Sequence, residues 1–439
     1  MKSEHYDVIG IGFGPSNIAM AITLEEEAAS LKCLFLEKEA SSEWQTGLLL
    51  ANSDIQNHPL RDLATPRNPR SHYSFTNYLF EKQRLFEHLN MGLYYPYRYE
   101  YRDYIRWAAE HFSRQVRYST TVTGVRALSS PVSGARFELS TADGQTYTCT
   151  SLVVAAGRTP YVPPVFAAIA PDKLVHGARF SAIVDRLESG QVQSVAVVGG
   201  SQSAIEIMIY LAEKYPQLRV HGVSRKFGYC LKDTSPFTGE VYFPAFIDVF
   251  HDSKPAHRRR LQDDLRATNY SASDADVLDA WYRLLYRDKH FGERRLHVHN
   301  SVDIVSAVSV GSKVSLELMA AHSDEQITSL EVDVVVTATG FRDFGPGDHQ
   351  EVCPALLEGL YPIMDKERDG QMKVQRDYRV DLQGLELGLY LNGLCESSHG
   401  MGDAGSLSLV SLRSQQIIKS IETRRAAAGA EVAIIKEEA

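Results

Sequence analysis

Short apolar runs recur along this chain, most of them ending in small or polar residues and followed by a stretch of helical character. The run Tyr6-Asp7-Val8-Ile9-Gly10-Ile11 leads into Gly12-Phe13-Gly14-Pro15 and predicts a buried strand, a tight turn and a helix over residues 17–29. A second strand is expected over 31–36, ending in Glu37. Residues 40–75 lose periodicity and collect Asn, Pro, Arg and His. That is too long for a plain connection and indicates a functional loop region. Residues 76–113 suggest helices around an aromatic turn (Tyr94-Tyr95-Pro96-Tyr97), and 115–150 suggest strands. The strand Leu152-Val153-Val154-Ala155-Ala156 ends at Gly157, and the proline-rich stretch 159–164 suits a crossing between domains.

The pattern then restarts. Val195-Ala196-Val197-Val198 runs into Gly199-Gly200-Ser201-Gln202-Ser203, again strand, turn and helix start. This unit is expected to close at the strand 332–341, which ends in Thr339-Gly340-Phe341. A strand at 388–391 and a helix from about Ser406 return the chain to its first half. Alternating strands and helices imply an α/β fold with parallel sheets. The expected architecture is two Rossmann-like dinucleotide-binding domains, the second inserted in the first, with a small substrate-binding region. The expected boundaries are 1–190 for the first domain with its loop 40–75, 191–340 for the second, 341–425 for the return, and a tail at 426–439.

Composition narrows the classes. A length of 439 residues, 44% hydrophobic and 23% charged, suits a soluble globular protein with two or three cores. The formal net charge of −9 gives a nucleic-acid role no electrostatic support, and Arg258-Arg259-Arg260 reads as a solvated helix face. No apolar run approaches the ~18 residues of a membrane span. The N-terminal residues lack the pattern of a signal peptide. The five cysteines (Cys33, Cys149, Cys230, Cys353, Cys395) form no C-x-x-C, which removes a dithiol redox motif and fits reduced thiols in a cytoplasm. No His/Cys/carboxylate spacing typical of a metal site is present.

The two turns carry the chemistry. Gly10 and Gly12 stand where a tight bend and a close phosphate approach leave no room for a side chain, with Gly14 next and Pro15 at a first helical position. Glu37, at the end of the second strand, suits a ribose hydroxyl pair. In the second turn Gly199 and Gly200 repeat the arrangement. Arg225 and Lys226, just past the next strand, are suited to the 2′-phosphate that distinguishes NADPH, or are two surface cations. Thr339-Gly340 and Ala155-Ala156-Gly157 either bring the chain close to cofactors or are strand-exit packing. His58, by itself, reads as a surface or packing histidine. Two dinucleotides held by one chain suit hydride transfer between cofactors.

These residues together resemble the flavin-dependent N-hydroxylating monooxygenases, the ornithine and lysine N-hydroxylases of siderophore biosynthesis. The resemblance rests on Gly10-Ile11-Gly12-Phe13-Gly14-Pro15-Ser16-Asn17, Phe35-Leu36-Glu37-Lys38, Trp44, Arg61-Asp62-Leu63-Ala64-Thr65 and Ser74-Phe75-Thr76-Asn77-Tyr78. It continues through Asp103-Tyr104-Ile105-Arg106-Trp107, Val198-Gly199-Gly200-Ser201-Gln202-Ser203-Ala204-Ile205-Glu206, Thr268-Asn269-Tyr270, Ala338-Thr339-Gly340-Phe341 and His399-Gly400. It implies FAD on the first turn and NADPH on the second. It further implies O₂ activation as a C4a-hydroperoxyflavin, and a neutral primary amine that becomes a hydroxylamine. By the same resemblance Lys38 and Trp44 line the FAD side and Gln56 lies beside the flavin. Gln202, Ser203 and Arg225 lie on the NADPH side, and Asn269 lies near both the nicotinamide ribose and the substrate amine. Family members are often tetramers, so a homo-oligomer is expected.

The departures lie where substrate is held. The segment Asn57-His58-Pro59-Leu60-Arg61 places Arg61 where the family carries a lysine that contacts substrate carboxylate and flavin. Gly239 replaces an asparagine after the Pro236-Phe237 pair, and Met401-Gly402-Asp403-Ala404-Gly405 replaces a Ser/Leu-rich run. Arg61, Gly239, Gly402 and Asp403 are therefore the expected substrate-side residues, with Gln56, Arg61 and Asn269 the expected catalytic ones. The expected substrate is an amino acid such as ornithine or lysine, a diamine or an aryl-alkyl amine. Two other readings stay open. One is a Baeyer–Villiger or sulfur-oxygenating flavoenzyme, whose F-x-G-x-x-x-H-x-x-x-W signature is absent around 160–190. The other is a degenerate, non-catalytic nucleotide-binding redox protein.

Overall fold

Val8, Ile9, Leu34, Phe35, Leu152 and Val153 are all buried, so the strands that carry them need cover on both faces. Parallel sheets flanked by other elements supply that cover. The computed structural model describes residues 4–28, 30–51, 53–132, 135–320, 326–383 and 385–437. Its first sheet has eight strands among those residues. They are β1 (Glu4–Ile11), β2 (Cys33–Leu36), β3 (Val116–Arg117), β4 (Val122–Val132), β5 (Ala135–Thr141), β6 (Thr146–Val154) and, far along the chain, β15 (Arg379–Leu382) and β16 (Leu385–Leu391). The order β15-β16-β6-β1-β2-β3 puts β1 at the centre, with Ile9 opposite Leu34 on one side and Leu152 on the other. β16 runs parallel beside β6, so the chain does return to its first sheet. β4 and β5 form an antiparallel extension of β6.

The second sheet is all parallel, in the order β10-β9-β8-β14-β7. Its strands are β7 (Leu174–His176), β8 (Ser194–Val198), β9 (Arg219–Ser224), β10 (Leu296–Asn300) and β14 (Val334–Thr337). One sequence expectation needs correction here. β7 falls in the segment assigned to the first domain, yet it pairs with β14 of the second sheet. Three residues, Leu174-Val175-His176, are too few to show a strand period. An antiparallel meander, β11 (Val302–Val310), β12 (Lys313–Ala320) and β13 (Gln326–Val332), is a further sheet that the sequence pattern does not announce. Ala307, Leu316 and Leu318 of the meander pack with Ala196 and Val223 of the second sheet. At the other end, the helix Val410–Glu437 is continuous, so residues 426–437 of the expected tail are helical; 438 and 439 lie outside the described residues.

One contact between the halves and one within the first half fix how the site is built. Leu48 and Leu50, from the loop of the first half, are buried in the core of the second sheet with Val195, Ile205 and Val334. Gly47 permits this approach, because a Cβ there would stand 2.1 Å from the Ala178 carbonyl oxygen. Within the first half, Arg413 of the long helix is buried, and its Nη1 donates to Asp403 Oδ1 at 3.1 Å. The same guanidinium donates through Nε to Asn392 Oδ1 at 2.8 Å, and Asn392 in turn donates to Asn17 Oδ1 at 3.2 Å, behind the first turn.

An Arg413→Ala change strands the fully buried Asp403 carboxylate without its cation. Removing one partner of such a pair costs about 3–5 kcal/mol. The expected result is a lower urea midpoint, read by far-UV circular dichroism of the purified protein.

Candidate active site

The first glycine turn joins β1 to the helix Pro15–Glu27. Gly12 has φ +85°, and a Cβ on it would stand 2.5 Å from the Ala155 carbonyl oxygen, so the turn accepts no side chain there. A Cβ on Gly10 would meet the Phe35 ring at 2.4 Å, whereas Gly14 faces open space. Gly14 is the N-cap, Pro15 begins the helix, and no side chain caps it. The first-turn N–H groups and the positive end of this 13-residue helix are left for an anion. Glu37 is buried at the end of β2, where Oε2 accepts from the Phe13 N–H at 2.6 Å and Oε1 from the Glu39 N–H at 2.9 Å. These bonds hold the carboxylate beside the turn and leave further lone pairs on both oxygens. Lys38 is exposed, 3.7 Å from Glu39, and Trp44 is half-buried, edge-on to Tyr101.

The second turn repeats the design between β8 and the helix Gln202–Lys214. A Cβ on Gly199 would stand 2.5 Å from the Ala338 carbonyl oxygen, and one on Gly200 would stand 3.1 Å from Ser224 Oγ. Ser201 is the N-cap residue of this 13-residue helix but makes no side-chain capping bond, while the Gln202 N–H is taken by the Ala272 carbonyl at 3.2 Å. Ser203 is half-buried in the first turn. Beyond β9, Arg225 is exposed and has no partner among the described residues, while Lys226 donates to the Ser271 carbonyl at 3.1 Å. The Thr339 hydroxyl donates to the Tyr161 carbonyl. Gly340, with φ +81°, is exposed and faces open space.

Between the turns runs a closed circuit of polar contacts. The Gln56 N–H donates to Asp54 Oδ1 at 2.9 Å, and Gln56 Nε2 donates to Asp274 Oδ2. The Asp274 N–H donates to Gln202 Oε1 at 3.0 Å, and Gln202 Nε2 donates to Glu206 Oε1 at 3.0 Å. Glu206 Oε2 pairs with Arg98 Nη2 at 3.0 Å, and Arg98 Nε donates to the Asp54 carbonyl at 2.8 Å. Four segments close this ring: the loop of the first half, the start of the helix Arg98–Glu110, the start of the second dinucleotide helix, and the residue that precedes the helix Ala275–Phe291. Burial pushes the Glu206 carboxyl up to about 7 against the opposing pull of Arg98. Burial also raises Asp54 and lowers Lys232, whose Nζ lies 4.0 Å from Asp274.

The substrate-side residues divide. Arg61 is half-buried, with its guanidinium 5.5 Å from the Tyr242 ring centroid, and no carboxylate pairs with it among the described residues. Gly239 lies in the same short helical segment as Tyr242 (Thr238–Tyr242) and faces open space. Asn269 Nδ2 donates to the Gly405 carbonyl at 3.3 Å, and the adjacent Tyr270 hydroxyl donates to Glu396 Oε2 at 2.5 Å. Arg158 pairs with the same Glu396 oxygen at 3.0 Å. Gly402 and Asp403 stand differently from expectation. Both are buried, a Cβ on Gly402 would stand 1.9 Å from the Val241 carbonyl oxygen, and Asp403 is turned inward to Arg413. A polar residue in a variable-looking run reads as a ligand contact, but here it neutralises a buried cation. Arg98, Asp274 and Asp54 carry no motif in the sequence. Asp274 offers one signal, its position just past the Thr268-Asn269-Tyr270 island.

Two sheets, one parallel throughout and one with a parallel core, each with a glycine turn feeding a helix that no side chain caps and a polar loop between them, define an oxidoreductase of the two-dinucleotide-domain class. Residues 4–343 match the L-lysine 6-monooxygenase/L-ornithine 5-monooxygenase family, and the chain belongs to that family of enzymes. It is 35% identical over 428 residues to the L-ornithine N(5)-monooxygenase of Pseudomonas aeruginosa, covering 95% of this chain and 93% of the relative. The structure is similar to that of an ornithine N-hydroxylase of Kutzneria with reduced FAD, NADP⁺ and L-ornithine, at TM-score 0.88 and 33% identity, covering 96% of this chain and all of that one. It is also similar to an L-lysine 6-monooxygenase of Pseudomonas syringae, at TM-score 0.84 and 33% identity, covering 95% and 99%. Among the described residues no helix is long and apolar enough to cross a membrane, and no group of three or more His, Cys, Asp or Glu side chains is placed to hold a metal.

Replacing Arg98 with Met leaves Glu206 buried without its cation. Even with Arg98 beside it, burial pushes this carboxyl up from 4.5 to about 7. Without Arg98 that value rises further, so the extra cost of the substitution is absent while Glu206 stays protonated, below about 7, and grows as the pH rises above it. The expected loss in melting temperature for Arg98→Met is therefore larger at pH 8 than at pH 5.5, and a pair of thermal melts reads it.

Proposed function

We propose that this chain binds FAD at the first glycine turn and NADPH at the second, and uses O₂ to N-hydroxylate a small primary amine. The observation that carries this reading is the pair of uncapped helix starts on either side of the Gln56–Asp274–Gln202–Glu206–Arg98–Asp54 ring. The residues present fit both groups. Gly10, Gly12, Gly14 and Glu37 form a cradle suited to one dinucleotide, and Gly199, Gly200 and Ser203 form a second, with Arg225 free to meet a 2′-phosphate. When bound, the two cofactors supply the electrons and the activated oxygen, one atom of which goes to the amine nitrogen and the other to water.

The chain's own part is to admit the amine in its neutral form and to keep water out. An ammonium has no lone pair for an oxygen atom, and cations nearby disfavour it. Arg61, which pairs with no carboxylate among the described residues, supplies such a cation. Asn269, tied through Nδ2 to the Gly405 carbonyl, offers its Oδ1 as an acceptor for an N–H of the substrate. Arg61, stacked on Tyr242 and without a carboxylate partner among the described residues, is placed to take an anionic group. Gly239 contributes no side-chain amide to that wall, so Arg61 is the wall's main handle for a substrate carboxylate, and amines without one also fit the open space.

Purified protein is expected to be yellow or to become so with FAD, and a protein that takes up no FAD contradicts the proposal. Ornithine, lysine and aliphatic diamines, scored by hydroxylamine formed and not by NADPH consumed, assign the substrate. Arg61→Ala should raise KM about tenfold or more for a carboxylate-bearing substrate, the scale of a lost hydrogen bond to a charged group, and much less for a diamine. An unchanged KM for the amino acid would refute the carboxylate role.

A further inference from the structure

Asp274 precedes the 17-residue helix Ala275–Phe291 as its N-cap residue, the position where aspartate commonly binds the first free N–H groups. It does not do so here. Its side chain makes no capping bond. Its Oδ2 instead accepts from Gln56 Nε2, which belongs to the loop of the other half, and its Oδ1 faces Lys232 Nζ. A capping bond worth about 0.5–2 kcal/mol is given up for a contact across the two halves. Local rules broken in this way mark positions held for something other than stability.

The contact has a chemical consequence. A carboxylate only accepts hydrogen bonds, so the nitrogen of the Gln56 carboxamide must face it. The oxygen, Gln56 Oε1, is then directed the other way, and it accepts no hydrogen bond among the described residues. The backbone of Gln56 is fixed as well, at φ +49° with its N–H on Asp54 Oδ1. We infer that Asp274 is a positioning residue that locks the Gln56 carboxamide with its oxygen outward, so that the site presents an acceptor to an N–H group of the ligand between the two turns. The inference rests on the function proposed above for the identity of that ligand, an N–H of the flavin or of the amine, but the locked orientation stands on the contact alone.

Asp274→Ser tests it, because serine is also a good cap and can take up the capping bond that aspartate leaves unmade. In flavin-free protein, the urea midpoints of Gln56→Ala, Asp274→Ser and the double variant read the contact itself, and non-additivity is expected. In the holoenzyme, Asp274→Ser and Gln56→Ala should shift the visible flavin band alike. Each should lower hydroxylamine formed per NADPH by up to about tenfold, the scale of one oriented neutral hydrogen bond. Additive midpoints overturn the inference. So does an Asp274→Ser protein with the wild-type flavin band and yield beside an altered Gln56→Ala protein. If wild-type protein makes no hydroxylamine from any amine, the proposed function fails, while the midpoints and the flavin band still decide the role of Asp274.

Discussion

Arg98 and Glu206 meet at 3.0 Å where both side chains are buried, one from the aromatic turn of the first half and the other from the first helix of the second dinucleotide unit. A buried pair of this kind adds little net stability, because desolvation offsets most of the attraction. Its effect is on registry. Neither partner tolerates the absence of the other, so the two halves are held to one relative placement, and the rest of the ring follows from it. Arg98 also reaches the Asp54 and Leu48 carbonyls, at 2.8 and 3.4 Å. One guanidinium thereby fixes both ends of the segment that leads into Gln56.

The glycine turns supply the complementary constraint, which is steric. Gly12 and Gly199 each lie against a carbonyl of a neighbouring strand exit, Ala155 and Ala338, at distances that exclude a side chain. Gly14 of the first turn faces open space, as does Gly340, two residues beyond the Ala338 that closes the second turn. The closed side of each turn sets the backbone direction, and the open side remains for a ligand. Electrostatics and sterics thus act at different places. The ring orients side chains between the halves, and the turns shape backbone N–H groups at their edges.

Much of the frame was legible in the sequence because it rests on local patterns. The turns at Gly10–Pro15 and Gly199–Ser203, the strand ending in Glu37 and the return strand near 388–391 all follow from runs of apolar residues with small residues at their ends. Strand β7 and the meander β11–β13 were not legible, since one is only three residues long and the other is defined by pairing across the chain. The ring was hidden for a similar reason. Arg98, Asp274 and Asp54 join one circuit only when four distant segments meet, and no spacing along the chain encodes that. Asp403 shows the opposite error: a carboxylate in an unusual run suggested ligand contact, and its surroundings turned it into the counter-ion of Arg413.

The insertion of Leu48 and Leu50 into the core of the second sheet, with Gly47 pressed on Ala178, has an implication for modularity. The boundary between the two nucleotide-binding halves in space does not coincide with any cut in the chain. A chimera that exchanges the second half with a relative's would leave a foreign socket around these two leucines unless residues 46–50 travelled with it. The adjoining stretch from Asp54 to Arg61 would have to follow, because it hangs from the same anchor. The polar loop and the second sheet are therefore inherited together in this architecture, as one transplantable block drawn from both halves.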